Sequence, residues 1–173
     1  KPRIIVMTKK DLCDMNETKK WIKYYEDKGY HVIAVDLSQN NSVNEIVELT
    51  HKITKEIQEK REAKGLAKKE IRALVIGIPN VGKSTLINRM AGKKVAVIGN
   101  NPGVTKSLSW IKTTSGILLL DSPGILWPKF EDQTVGLRLA FIGSIKDEIL
   151  NVEELAAELI KFLKNYYLGV LSE

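Results

Sequence analysis

The sequence predicts an α/β fold of three layers, α/β/α, built on a mostly parallel sheet. Two observations carry this reading. Short apolar runs with strand character alternate with amphipathic helical stretches, and the glycine-rich and acidic motifs fall just after the strand-like runs. Parallel strands need crossover connections, which helices supply on both faces, and ligands of such sheets collect at the carboxyl ends of the strands.

Taken in order, residues 3–7 (Arg-Ile-Ile-Val-Met) read as a short buried strand. A helix follows from Asp14 to Lys28, with Trp21, Ile22, Tyr24 and Tyr25 as its apolar surface, and Gly29 stops it. Residues 31–35 form the next strand, and Asn40 to Asn44 a polar loop. Val43, Ile46, Val47, Leu49, Ile53 and Ile57 then recur at helical spacing. That helix grades into a basic stretch, Lys60 to Lys69, broken by Gly65. Residues 71–76 are a strand, 77–82 a loop, and Lys83 to Met90 open a helix. Residues 94–98 and 108–113 read as a strand pair flanking a loop, and 117–120 as a buried strand ending at Asp121. Asn151 caps a last helix with Leu155, Leu159, Ile160, Phe162 and Leu163 on its apolar side.

A chain of 173 residues supports one ordinary domain with a proper core, and 43% hydrophobic with 28% charged residues excludes a disordered chain. No apolar run approaches the roughly 20 residues that span a bilayer. One cysteine, Cys13, forms neither an internal disulfide nor a cysteine-rich metal site, and its usage suits a reducing, cytoplasmic compartment. The net charge of +6 permits an anionic partner such as RNA. Segment 52–72 holds eight Lys or Arg against four Glu. It reads either as a contact for RNA phosphates or as a solvated helix face with a linker.

Gly77-Ile-Pro-Asn-Val-Gly-Lys-Ser84 matches G-x-x-x-x-G-K-[ST] and sits between a strand and a helix, the context that gives the string meaning. The glycines let the backbone curl so that the N–H groups of Asn80, Val81, Gly82, Lys83, Ser84 and Thr85 face a polyphosphate, reinforced by the helix dipole. Lys83 supplies a point charge to the β- and γ-phosphates, and the Ser84 hydroxyl is a hard oxygen ligand for Mg²⁺. The string alone does not choose GTP over ATP.

Asp121-Ser-Pro-Gly124 follows a buried strand. Asp121 is placed to hold Mg²⁺, directly or through water, and the Gly124 N–H to meet the γ-phosphate. Between the two motifs, Asn101-Pro-Gly-Val-Thr105 offers Thr105 to complete the Mg²⁺ shell when a γ-phosphate is present, an order–disorder switch. Lys83, Thr105 and Gly124 are the groups expected to support the transition state. No single catalytic residue stands out.

Thr8-Lys9-Lys10-Asp11 follows the first strand. It resembles the Asn-Lys-x-Asp base-reading motif of GTPases. The Asp11 carboxylate can accept from the guanine N1–H and exocyclic amine, an arrangement adenine repels, and the Lys9 stem can lie along the base plane. Thr8 departs from the usual Asn and offers only a hydroxyl. Asp36-Leu37-Ser38 follows the next strand as a second base loop, with Leu37 and Ser38 as contacts, although Asp36 equally suits a strand end.

The base motif thus precedes the phosphate loop, an order that resembles the circularly permuted GTPases. Three longer strings narrow the resemblance: Gly77-Ile-Pro-Asn-Val-Gly-Lys-Ser-Thr-Leu-Ile-Asn88, Asn101-Pro-Gly-Val-Thr105, and Asp121-Ser-Pro-Gly-Ile-Leu-Trp-Pro-Lys-Phe130. They are similar to the YlqF/RbgA family of ribosome-biogenesis GTPases, and residues 136–147 also fit. The resemblance covers nearly the whole chain.

It implies binding of GTP and GDP and slow hydrolysis, stimulated by the ribosome and coupled to assembly of the large (50S) subunit and its rRNA. Mg²⁺ is implied as cofactor. Asn80 matches the asparagine that binds K⁺ in potassium-activated GTPases, or is simply a turn-forming residue. Ile125 stands where Ras-like enzymes carry a water-orienting glutamine. The family's Pro-Gly-His segment has no counterpart in this sequence, and neither His31 nor His51 matches it. The family's opening strand, central in its sheet, also has no match. The expected division is a GTP-binding domain over 1–150, lacking that strand, and a C-terminal helix over 151–173 that begins a helical domain. A monomer in the cytoplasm is expected. A nucleotide-holding recruitment module without turnover, and a P-loop ATPase of another class, stay open as alternatives.

Overall fold

The computed structural model describes residues 1–39, 41–96, 108–127 and 129–171. Five strands are present among them: β1 (Ile4–Met7), β2 (His31–Ala34), β3 (Ile71–Leu74), β4 (Ser109–Lys112) and β5 (Ile117–Asp121). Five α-helices accompany them: α1 (Met15–Glu26), α2 (Asn44–Glu62), α3 (Lys83–Ala91), α4 (Gln133–Phe141) and α5 (Val152–Tyr166).

The strands form two sheets rather than one. β1 and β2 pair in parallel, Ile4 opposite His31. In the second sheet β5 lies between β3, parallel to it, and β4, antiparallel. Among the described residues no strand joins β1 to β3. Among the described residues the mostly parallel arrangement is therefore interrupted between β1 and β3.

Alternation along the strands assigns the layers. Val6, Ile33, Ile71, Ala73, Ile111, Ile117 and Leu119 face a single core with Ile46 of α2 and Leu86, Ile87 and Met90 of α3. The residues one step along face the other way. Met7 and Ala34 border a cavity of about 350 Å³ with Trp21 and Tyr25 of α1. Helices thus cover both faces of the β1–β2 sheet. On the second sheet the outer face is more open, with Leu74 58% and Ile76 73% exposed, and the Arg72 guanidinium 5.6 Å from the ring centre of Trp110.

Local chemistry explains the helix ends. The Asp14 carboxylate accepts from the Asn16 and Glu17 N–H groups, and the Asn151 side chain from that of Glu154. Gly29, at φ +80°, takes the left-handed turn after α1. The linker after α2 is tied back to the helix. Gln58 donates to the Lys69 carbonyl (2.6 Å) and accepts from the Lys69 N–H (3.0 Å).

One expectation needs correction, and one helix is added. Residues 94–96 form no strand, because the Asn88 side chain accepts from the Val95 and Ala96 N–H groups (2.8 and 2.7 Å) and donates to the Ala96 carbonyl (2.8 Å). Those bonds take up groups that a strand pair would use. Residues 97–98 lie outside the described residues. Helix α4 is an addition. Its cap is a plain Asp132 accepting from Thr134 N–H, but its apolar residues Val135, Leu137, Leu139, Ala140 and Phe141 run too close together to stand out as a one-sided helical period.

Candidate nucleotide-binding site

Backbone geometry sets up the phosphate loop. Gly77 to Gly82 joins β3 to α3, with Asn80 (φ +57°) and Gly82 (φ +92°) both left-handed. A side chain at Gly82 would press on Leu37 at 3.3 Å, so glycine serves there both for φ and for close approach. The Lys83 ammonium folds back on the loop, donating to the carbonyls of Gly77 (3.0 Å) and Ile78 (2.7 Å). Burial pushes the Lys83 pKa down from its ordinary value, while the Asp121 carboxylate pulls it back up. Ser84 and Thr85 occupy the first turn of α3.

Asp121 ends β5 and is 2% exposed. The next residue, Ser122, donates to the Val75 carbonyl at 2.6 Å and ties the Asp-x-Pro-Gly turn to the end of β3. Gly124 abuts the phosphate loop so closely that a Cβ would lie 2.8 Å from both the Cα and N of Pro79. Ile125 and Trp127 beyond it are 73% and 64% exposed.

The base-reading string lies beside this loop. The Thr8 hydroxyl donates to the Val81 carbonyl at 2.6 Å. Lys9 takes a left-handed turn (φ +56°) into a 3₁₀ turn over Lys10–Leu12, which presents Asp11 to solvent. Lys10 N–H bonds to the Val35 carbonyl (3.2 Å), so the string also follows β2.

The second base loop is more structural than expected. The Leu37 side chain is buried in the core. Ser38 N–H donates to the Asp36 carboxylate (2.8 Å), and the Ser38 side chain, followed by this N–H, lowers the Asp36 pKa; the Ser38 carbonyl accepts from Arg89 of α3 (3.0 Å). Arg89 is a brace that the motif reading missed; only its place on the helix after the phosphate loop hinted at it.

Asn80 donates through Nδ2 to the Gly143 carbonyl (2.5 Å), beside a bond from the Ser144 hydroxyl to the Pro79 carbonyl (2.8 Å). Gly143 and Ser144 lie within residues 136–147, which fit the family resemblance, but neither is assigned a role at the site by the motifs. Thr105, with the rest of 101–105, lies outside the described residues. His31 and His51 are exposed.

The donor set suits a hard cation. A buried carboxylate (Asp121) and a helix-start hydroxyl (Ser84) lie beside Lys83, and the described residues contain no cluster of three or more His, Cys, Asp or Glu. Mg²⁺ is typically held in this way, by one or two protein oxygens plus the phosphates, rather than by an all-protein cage.

The chain is similar to several known proteins. Residues 72–170 match the family model described as 50S ribosome-binding GTPase, a match that starts at β3. Ribosome biogenesis GTPase A of Bacillus cereus is 47% identical over all 173 residues, and that of Thermotoga maritima 32% identical over 86% of the chain. The chain spans 58% and 50% of those two proteins. The crystal structure of GNP-bound YlqF from T. maritima superposes with a TM-score of 0.60 at 25% identity, over 93% of this chain and 58% of that one. A GDP-bound YlqF structure gives 0.56 over 88% and 55%.

Proposed function

From the premise that the chain belongs to the 50S ribosome-binding GTPase family, we propose that it binds GTP and GDP and hydrolyses GTP slowly, in step with assembly of the large ribosomal subunit. The observation that carries this is the Thr8–Val81 hydrogen bond, which brings the base-reading string against the phosphate loop across 73 positions of chain. Lys83 and the N–H groups of Asn80 to Thr85 bind the phosphates, and Asp11 reads guanine. Ser84, Asp121 and Thr105 hold Mg²⁺, which when bound neutralises charge on the phosphates. Gly124 donates its N–H to the γ-phosphate. With the Asn80 Nδ2 on Gly143, a K⁺ role for Asn80 falls to its Oδ1.

The partners are the nucleotide and the large subunit, in the cytoplasm, with the protein acting as a monomer. No helix among the described residues is long and apolar enough to cross a membrane. Four exposed ion pairs in or beside the basic segment, Lys55–Glu59, Lys60–Glu56, Lys68–Glu62 and Arg72–Glu70, favour a solvated helix face over an rRNA contact there. The domain boundary falls at Asn151, ahead of α5. A further strand between β1 and β3, supplied by a longer chain, would join the two sheets.

Phosphate release by the full-length protein in K⁺, with and without large subunits, tests the proposal. Turnover on the order of 10⁻⁴ to 10⁻² s⁻¹ alone, faster with subunits and slower in Na⁺, is expected. Effective displacement of labelled GTP by ATP, or unchanged guanine selectivity in Asp11→Asn, would remove the role of Asp11.

A second reading, a nucleotide-holding module without turnover, is favoured by the exposed Ile125 at the water-orienting position. Tight GTP binding with no phosphate release, even on subunits, would select it.

A further inference from the structure

We infer that Ser144 is a positioning residue for GTP hydrolysis, acting through the Pro79–Asn80 peptide of the phosphate loop; this rests on the GTPase reading above. Ser144 is fully buried, and its hydroxyl donates to the Pro79 carbonyl at 2.8 Å. The reciprocal bond, Asn80 Nδ2 to the Gly143 carbonyl, makes a two-point clamp between two dipeptides more than 60 residues apart.

The clamp is rigid on its far side. Helix α4 ends with Gly143 left-handed (φ +68°), Gly143 N–H on the Ala140 carbonyl (2.9 Å) and Ser144 N–H on the Leu139 carbonyl (2.9 Å). That double-bonded glycine stop fixes the Ser144 backbone and leaves its side chain aimed at the loop. On the near side, a trans peptide is planar, so its C=O and N–H point in opposite directions. Holding the Pro79 carbonyl toward α4 therefore turns the Asn80 N–H away from α4, to the opposite side of the loop. Pro79 has no N–H of its own, so this one donor matters more than in a loop with a full set.

Its place in the loop assigns it to the terminal phosphate. The donors at the start of α3 serve the inner phosphates. Pro79, by contrast, touches Gly124, the residue placed to meet the γ-phosphate. Ser144 thus orients a donor needed where charge develops in the transition state, and GDP makes little use of it.

The test compares Ser144→Ala, and Ser144→Cys as a nearly isosteric weak donor, with the unaltered full-length protein. Both should lower kcat, the Ala variant about 10-fold, while GDP affinity changes less than about 3-fold. The Cys variant should fall between Ala and Ser. A contact that merely stabilises the fold would instead lower the melting temperature and weaken GDP and GTP binding alike, and that result, or an unchanged kcat, overturns the inference. If the Ala variant fails to fold, the kcat of the Cys variant decides. Absence of turnover in the unaltered protein would instead sink the GTPase reading.

Discussion

The Thr8 hydroxyl donates to the Val81 carbonyl at 2.6 Å, so a short hydroxyl side chain fastens the Thr8–Asp11 string to the phosphate loop. A hydroxyl provides this one bond; an amide would offer both a donor and an acceptor.

Removing that bond should loosen the whole site. A net hydrogen bond contributes about 0.5–1.5 kcal/mol, so Thr8→Ala should bind a fluorescent GDP analogue about 3- to 10-fold more weakly. Thr8→Asn should bind at least as tightly as the parent. Equal affinity in the Ala variant would show that the two loops are held together by other contacts.

Lys83 should have opposite effects on stability and on binding. Its pKa is held below the ordinary 10.5 by burial, against the pull of Asp121. Between the folded pKa and 10.5 the unfolded chain binds more protons, so stability of the nucleotide-free protein should rise with pH across that window. Lys83→Met should abolish this rise without loss of stability below it, while weakening nucleotide binding about 100-fold. Denaturation midpoints across the pH series and a nucleotide titration read both effects.

At Gly124 the backbone of Pro79 is the obstacle. An alanine Cβ at 2.8 Å forces one of the two loops to shift, costing about 1–3 kcal/mol. Gly124→Ala should weaken binding of a non-hydrolysable GTP analogue more than binding of GDP. A proportional loss for both nucleotides would argue against γ-phosphate contact.

The facing edges of β1 and β3 should exchange quickly. No strand pairs with them across the interruption among the described residues, so amides on those edges should lack protection in this chain. They should gain it in a chain extended to the length of the Bacillus relative. Equal exchange in the two chains would count against a strand filling the space.

Much of this was legible in advance because it depends on local chemistry. Gly77 to Ser84 needs glycines and a following helix whatever surrounds it, and Asp14, Gly29 and Asn151 mark helix ends by capping alone. Over residues 94–96 the expected strand is absent because its competitor, the Asn88 side chain, is a tertiary partner whose effect on Val95 and Ala96 leaves no periodic trace.

Short-range pattern therefore decided most of the elements, the order of the motifs and the chemistry each motif can offer. Tertiary structure alone decided that Leu37 is core, that Arg89 braces Ser38, and that Gly143 and Ser144 grip Pro79 and Asn80. These are single contacts between segments with no shared periodicity. A hydroxyl or a carbonyl looks the same in the chain whether it meets water or another loop, and only the packed fold selects its partner.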